Sequence, residues 1–423
     1  MYEKARVSSG LGKQVESGGM VIAIAMAIMN VTTYGYQMVA ARLLGPVSYS
    51  GFAALMNLLL IVTVLALALQ ANAARRIATE PGDVHVVEAA VIRVGRQAAF
   101  GLALIALVGA PLINYVLQLN SLPTALLIGF SALPLTLVGA QLGVLQGERR
   151  WRSLAMVYLA SGVPRLAIGT IFLIVTPTTF WAILGVMVGA WAPVLVGALA
   201  LRRPRDHHRQ SAATDHTAGD LWRETLQNAL VLLGYFALTS ADALIARNSM
   251  DHHEAGLYAA GLIMTKAVLF MPQFIVVIAF PSLGASERPL ITLFKALAAV
   301  LTIGIVMAVA AKVMSGFALI FTGGPKYGAI EDSLWKFAIL GAMLALLQLL
   351  VYGLIARRSK FSVYLVWVAL GALVYFGLQA DTFTDMLNRV MAINALLLTL
   401  LLILSIRGFS KPRTVQEAGA PAS

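Results

Sequence analysis

QMVAARLLGPVSYSGFAA, residues 37–54, separates two long apolar runs near the start of the chain. Each run has about the 20 residues that an α-helix needs to cross ~30 Å of hydrocarbon. Arg42 closes the first run, and Gly51 and Phe52 open the second after a short turn. The stretch therefore predicts two membrane-spanning helices joined by a tight outer connection.

The composition of the whole chain extends this prediction. Hydrophobic residues make up 59% of the 423 residues and charged residues 12%, whereas a soluble domain has about 25% charged residues. With a mean hydropathy of +0.83, the chain is expected to cross a membrane many times. A polar start over 1–17, followed by a run of full membrane length, predicts that no signal peptide is cleaved. The absence of cysteine excludes disulfides, thiolate metal sites and cysteine nucleophiles.

Apolar runs of membrane length recur to the end of the chain. They predict an all-α polytopic membrane protein with about twelve transmembrane helices. The predicted spans lie near residues 18–41, 51–73, 97–117, 123–145, 153–176, 180–201, 225–246, 256–283, 290–314, 334–356, 361–379 and 387–406.

The basic residues predict the orientation of these spans. With the N-terminus in the cytoplasm, 23 of the 31 Lys and Arg residues fall in cytoplasmic segments, five in outer segments and three inside spans. Cytoplasmic loops of membrane proteins carry such an excess. We therefore expect both termini to be cytoplasmic, and the net charge of +12 is explained by topology rather than by nucleic-acid binding.

A polar stretch divides the spans into two sets of six. The predicted organisation is an N-terminal six-helix half over 1–201, a cytoplasmic linker over 202–222, a C-terminal six-helix half over 223–406 and a cytoplasmic tail over 407–423. Because six is even, both halves start on the same side of the membrane. Any repeat between them is then related by an axis along the membrane normal.

A weak repeat supports this division. Arg42 closes the first helix of the first half, and a Gly-aromatic-Ala-Ala cluster at 51–54 opens the second helix. Arg247 and the cluster at 256–260 stand at the equivalent places in the second half. The match predicts that the two outer turns have related roles.

When Lys295, Lys336 and Arg389, which stand near span ends, are counted with the adjacent segments, four charged residues remain inside predicted spans: Arg165, Lys266, Lys312 and Asp242. A charge at mid-bilayer depth is costly and normally faces a protein interior or a water-filled path. Arg165, which follows Pro164, and Lys266 fall near the middle of the fifth and eighth spans. Lys312 falls near the outer end of the ninth, where its stem can reach the headgroups. The excess of buried cations predicts a path for an anionic substrate, with Arg165 and Lys266 facing one another across a cavity.

Asp242 is the one acid of the 19 that falls inside a span. It is either a counter-ion for Lys266 or Arg165, or a coupling site for Na⁺ or H⁺. Uncharged polar residues of the first two spans, Asn57 and Asn72 among them, either line an aqueous path or hold helices together.

The outer ends and the loops add fewer candidates. Arg42 and Arg247 close helices at the outer interface, where they either extend to the headgroups or bind substrate. The histidine pairs 207–208 and 252–253 lack the spacing and the acidic partner of a metal site, so no metal and no cofactor is predicted. No P-loop is present and no outer loop is long enough for a catalytic domain, so the protein is predicted not to be an enzyme.

Residues 41–54 resemble the first helix-turn-helix of bacterial polysaccharide-biosynthesis flippases, the Wzx-type, O-antigen-like members of the MATE/MOP superfamily. Residues 242–247, 255–260 and 272–281 are similar to the seventh and eighth helices of the same family. The resemblance extends over the chain through its twelve-span layout. Its motifs mark the fold rather than a substrate.

The resemblance implies two six-helix bundles around a central cavity and alternating access by rocking of the halves. It implies that the cargo is an undecaprenyl-pyrophosphate-linked oligosaccharide, moved across the bacterial plasma (inner) membrane for cell-surface polysaccharide biosynthesis. Arg165, Lys266, Arg42 and Arg247 would then bind pyrophosphate, Arg through a bidentate fork and Lys as a point charge. Besides the lipid-linked saccharide, the implied partners are membrane lipids, a glycan polymerase and glycosyltransferases.

Two other classes stay open. A MATE-like ion-coupled antiporter of small molecules or drugs would depend on Asp242, although the chain lacks the several cavity acids expected of a cation exporter. A membrane-embedded enzyme or scaffold of a glycan assembly machine is the third.

Overall fold

The computed structural model describes residues 2–79, 84–202, 218–272, 289–356 and 360–409. In these ranges the chain is helical apart from short turns, and it contains no strand. The predicted linker and tail lie largely outside the described residues. We use "inner" and "outer" for the two faces as the basic residues predict them.

The first half consists of membrane-length helices, several of which are divided by short breaks. Over residues 2–79 and 84–202 they are α1 (Tyr2–Val62), α2 (Val64–Thr79), α3 (Val84–Val108), α4 (Ala110–Val116), α5 (Leu122–Gly147), α6 (Trp151–Val175), α7 (Thr179–Gly189) and α8 (Trp191–Leu201).

The second half has the same character. Its described elements are α9 (Ala218–Leu238), α10 (Ala241–Ser249), α11 (His252–Phe270), α12 (Pro289–Val313), α13 (Ser315–Thr322), a 3₁₀ segment (Pro325–Ser333), α14 (Leu334–Ala356), α15 (Lys360–Gly377) and α16 (Phe383–Phe409).

A break at Gly45 divides α1 into the first two predicted spans. Gly45 has φ 71° and ψ 171°, far from helical values. Pro46 has no backbone N–H, so the carbonyl of Arg42 loses its helical donor. Two side chains of the second half donate hydrogen bonds to backbone carbonyls at the break. Lys326 Nζ donates to the carbonyl of Arg42 over 3.2 Å, and Tyr327 Oη donates to the carbonyl of Ala41 over 2.9 Å. The break is therefore also a junction between the halves.

Eight helices of the described part are long and apolar enough to cross a membrane, or nine if the bent pair α9–α10 is one span. The prediction of about twelve is larger because Gly19–Ala78 contains two predicted spans, His252–Phe270 is the described part of the eighth, and Val363–Gly377 is a short apolar helix. Large apolar side chains are left exposed on many helices, as a lipid-facing surface requires. The predicted class, an all-α multi-pass membrane protein, is confirmed.

The third predicted span began too late. The prediction started it at residue 97, whereas α3 begins at Val84. The polar residues His85, Glu88 and Arg93 obscured an amphipathic extension, whose apolar residues recur every three or four positions. The buried face of that extension is formed by Val84, Val87, Val91 and Val94.

The seventh predicted span is not continuous. It consists of α9 and α10, which meet at an angle of 48° across Thr239 and Ser240. Thr239 Oγ1 donates to the carbonyl of Phe236 over 3.2 Å, a local bond that competes with helix continuation. The bend places Asp242 in the first turn of α10.

The two halves share one core. α1 packs against α6 in its own half and against α11 in the other half. One apolar cluster runs through both halves, from Tyr36 and Phe52 to Tyr258 and Phe337. The first two spans and the eighth therefore form the interface on which the candidate site lies.

Candidate functional site

Lys266 lies at the interface between the halves. It is buried in α11, and its Nζ donates to Oδ1 of Asn57 in α1. Asn57 is fixed in turn, because its Nδ2 donates to the carbonyl of Ala53 over 2.8 Å. A buried charge is costly unless it is paired as well as hydrogen-bonded. The amide satisfies a donor of the ammonium but carries no opposite charge.

Asp242 is buried at the broken seventh span. Its Oδ2 accepts a hydrogen bond from Tyr258 Oη over 2.9 Å, and its Oδ1 accepts from the backbone N–H of Ala243 over 2.8 Å. A carboxylate in the first turn of α10 also lies at the positive end of the helix dipole. Asp242 and Lys266 interact through their charges. Among the described residues they form no ion pair with N–O within 4.0 Å, so the direct partner of Asp242 is Tyr258.

Arg165 lies inside the first half, among α1, α6 and α7. Its side chain is half-buried, and its guanidinium is close enough to the Tyr36 hydroxyl for the two to interact. Within the described part of the chain, its Nε is enclosed without a hydrogen-bond partner. Gly189 makes this close packing possible, since a Cβ there would come within 2.8 Å of the Arg165 Cα. Arg165 therefore retains an unused donor in the protein interior.

The structure gives Arg165 and Lys266 different neighbours, and no contact joins them within the described part of the chain. Their position on one shared cavity stays a prediction.

Lys312 is exposed at the last turn of α12, with Nζ 5.9 Å from the centre of the Trp335 ring. Its depth in the membrane stays a prediction.

Arg42 and Arg247 differ in the structure. Arg42 is exposed and donates to the carbonyl of Ile320 over 2.7 Å. Arg247 is only 6% exposed, so it does not extend to the headgroups. Its guanidinium donates to the carbonyls of Leu117 (2.9 Å) and Gln118 (2.9 Å). Its third nitrogen donates to Oγ of Ser50 (2.7 Å). All three nitrogens are thus engaged with the first half.

Further bonds surround Arg247 at the outer face. Asn248 Nδ2 donates to the carbonyl of Val116 over 2.6 Å, and Gln118 Nε2 donates to the carbonyl of Asn248 over 3.2 Å. His252 Nε2 lies 3.1 Å from Gln118 Oε1. We call this set the outer clasp; it consists of Ser50, Val116, Leu117 and Gln118 from the first half and Arg247, Asn248 and His252 from the second.

The halves are also joined at the inner face. Glu224 of α9 pairs with Arg75 over 3.0 Å and with Arg76 over 3.2 Å, both in α2. Asn72 Nδ2 donates to Oγ1 of Thr225 over 3.2 Å, and both residues are buried. Of the two roles predicted for Asn57 and Asn72, the structure shows the one that joins helices.

The sequence interpretation missed Tyr258 as the partner of Asp242. A signal was present, because Tyr258 is the aromatic residue of the second Gly-aromatic-Ala-Ala cluster, where the first has Phe52 without a hydroxyl. Gln118 and His252 carried no comparable signal. Their contacts depend on how two distant turns meet.

Helical bundles in two halves that meet around buried polar or charged groups are found among secondary transporters. No protein-family model matches the sequence, and no curated protein matches it.

Solved structures identify the fold. An inward-facing multidrug resistance MATE family transporter of the MOP superfamily superposes with a TM-score of 0.72 at 13% identity, over 92% of this chain and 98% of that one. The eukaryotic MATE transporter AtDTX14 gives 0.66 at 15% identity, over 92% and 95%. A MOP superfamily transporter from Pyrococcus furiosus, described as having a binding pocket of reverse polarity, gives 0.63 at 14% identity, over 93% and 96%. The chain therefore has the MATE/MOP transporter fold over nearly its whole length.

Proposed function

We propose that the protein is a flippase that moves an undecaprenyl-pyrophosphate-linked oligosaccharide across the bacterial plasma membrane for cell-surface polysaccharide biosynthesis. The observation that carries this proposal is that Lys266 is a buried ammonium bonded to a neutral amide, with no carboxylate at ion-pair distance among the described residues. A buried cation without a directly paired carboxylate favours an anionic ligand at that place. Pyrophosphate supplies the charge, and Lys binds phosphate as a point charge.

Arg165 is the second proposed pyrophosphate ligand, because its enclosed Nε has no partner. Arg42 is exposed near the outer face and is available to the cargo there. Arg247 binds pyrophosphate only after leaving the outer clasp, since each of its nitrogens already donates to the first half. Asp242 offsets the Lys266 charge while no cargo is bound, or couples transport to Na⁺ or H⁺.

The test is translocation of a fluorescent undecaprenyl-pyrophosphate-linked oligosaccharide by the purified protein in liposomes. Lys266→Gln and Arg165→Gln are each expected to reduce the rate more than tenfold, because the pyrophosphate loses a buried cation. Lys312→Gln is the matched control, a cation in a predicted span that is exposed in the structure, and its rate is expected to equal that of the original protein. Equal rates in all three folded variants would exclude a role for the buried cations.

An ion-coupled antiporter of small molecules is the second candidate. Fold neighbours include transporters described as multidrug resistance proteins, and Asp242 is a buried acid at a broken helix. This candidate predicts drug resistance in overexpressing cells, lost in Asp242→Asn. The flippase proposal predicts no such resistance.

A further inference from the structure

A polar cavity of about 330 Å³ opens at the outer face of the first half. Three connections of the first half meet there, at 47–51, 118–124 and 178–180, and Arg247 and His252 of the second half complete its wall. Nine of its thirteen lining residues carry hydrogen-bonding side chains, and none is acidic. Lys266, Arg165 and Asp242 do not line it, and of the proposed pyrophosphate ligands only Arg247 does. The cavity is therefore distinct from the place proposed for pyrophosphate at Lys266 and Arg165.

The charges of the cavity do not suit an anion. Arg247 is its only permanently charged lining residue, and the three guanidinium nitrogens already donate to Leu117, Ser50 and Gln118. Burial, and then the positive charge of Arg247, lower the pKa of His252 below its ordinary value, so that imidazole is neutral at pH 7. What the cavity offers is a high density of neutral donors and acceptors.

Several lining groups are free to bind. Within the described structure, the side chains of Ser48 and Asn120 line the cavity without a hydrogen bond of their own. Phe180 adds an aromatic surface, which suits the apolar C–H face of a sugar ring. Gln118 and Asn120 have φ of 47° and 53°, two of the three non-glycine residues with positive φ in the described chain. Non-glycine residues keep a positive φ only where the surrounding structure holds them in it, and such residues often lie at ligand sites.

We propose that this cavity is a saccharide-binding site at the outer mouth, which takes a neutral sugar unit of the cargo as it leaves. Hydroxyls and amides around an aromatic ring match the alternating hydroxyl and C–H groups of a sugar, and the volume lies at the small end of ligand pockets, about 300–1,000 Å³. Gln118, Arg247 and His252 belong both to the cavity wall and to the outer clasp. A bound sugar therefore contacts the residues that separate when the outer face opens. The role as an exit site rests on the proposed function, whereas the sugar chemistry does not.

The test uses free neutral sugars without lipid or phosphate: glucose, galactose, rhamnose and N-acetylglucosamine. Binding to the full-length protein in nanodiscs is measured by saturation-transfer NMR, and we expect a millimolar Kd for at least one sugar. Ser48→Ala combined with Asn120→Gly is expected to weaken binding about tenfold, since it removes two hydrogen bonds. Glycine keeps the left-handed backbone at 120. Phe180→Leu, a second variant, is expected to weaken binding by removing the ring.

Gln379→Ala is the matched control, an exposed amide at the same face but outside the cavity, and it is expected to bind as the original protein does. The inference is overturned if no sugar binds, if the cavity variants bind equally well, or if inorganic phosphate displaces the sugar. Cargo translocation is measured with the same protein variants reconstituted in liposomes. Translocation without sugar binding defeats this inference alone. Cavity-dependent sugar binding without translocation defeats the proposed flippase and leaves the sugar site standing.

Discussion

The hydroxyl of Tyr258 is one of two groups that hold the buried carboxylate of Asp242. Tyr258→Phe is expected to lower the free energy of unfolding in detergent by about 1–3 kcal/mol, because a buried acceptor loses its donor. In an Asp242→Asn background the same change is expected to cost less, since a neutral amide needs the donor less. Tyr327→Phe, whose hydroxyl bonds the carbonyl of Ala41, is the control and should cost the same in both backgrounds. Equal costs of Tyr258→Phe in the two backgrounds would contradict this coupling.

At this scale the sequence identified the buried acid but not its partner. Asp242 was identifiable because an acid within an apolar run is rare. The partner was not, because Tyr258 reaches it only through the bend at Thr239 and Ser240, where neither glycine nor proline marks a break. Lys266 was likewise identifiable, whereas its bond to Asn57 depends on the packing of two separate halves.

At the scale of elements, the outer turn of the first half and helix α11 meet backbone to backbone. A Cβ on Gly256 would lie 2.1 Å from the carbonyl oxygen of Pro46, an atom that cannot move aside alone. A Cβ on Gly51, at the equivalent place in the repeat, would lie 3.5 Å from its nearest neighbour, the side chain of Leu119. Gly256→Ala is therefore expected to separate the outer faces, and Gly51→Ala is not. With Ser50→Cys in both proteins, a membrane-impermeant thiol reagent should label the Gly256→Ala protein at least several-fold faster. Equal labelling would show that the contact does not keep this face closed.

The repeat thus predicted more about elements than about contacts. Arg42, Arg247 and the Gly-aromatic-Ala-Ala clusters located the outer turns from sequence alone. The unequal space around Gly51 and Gly256 was not predictable, because it depends on which backbone lies opposite each glycine. The start of α3 was missed for a different reason, since a helix with one apolar and one polar face does not register as a continuous apolar run.

At the scale of the whole molecule, composition and the placement of basic residues were enough to predict a multi-pass bundle, but not how its halves meet. The acceptors of Arg247 at the outer clasp are mostly backbone carbonyls, which every residue possesses and no sequence pattern marks. The halves are bonded at both faces, at the outer clasp and at the inner pairs of Glu224. The proposed flippase, which would expose its interior alternately to each side, must break one of these junctions at a time.

The absence of cysteine makes this requirement testable, because introduced thiols have no background. Val116→Cys with Asn248→Cys bridges the outer clasp at residues that do not line the cavity. A short reducible thiol cross-linker should join them, because Asn248 Nδ2 lies 2.6 Å from the backbone carbonyl oxygen of Val116. Cross-linking is expected to stop cargo translocation, and reduction to restore it, because the outer face cannot open while the halves are tied. Gln70→Cys with Gln146→Cys is the control, since that 3.0 Å pair lies within the first half and moves as one body. If the cross-linked protein still translocates cargo, the halves do not separate at the outer clasp. The exit path then lies elsewhere in the bundle.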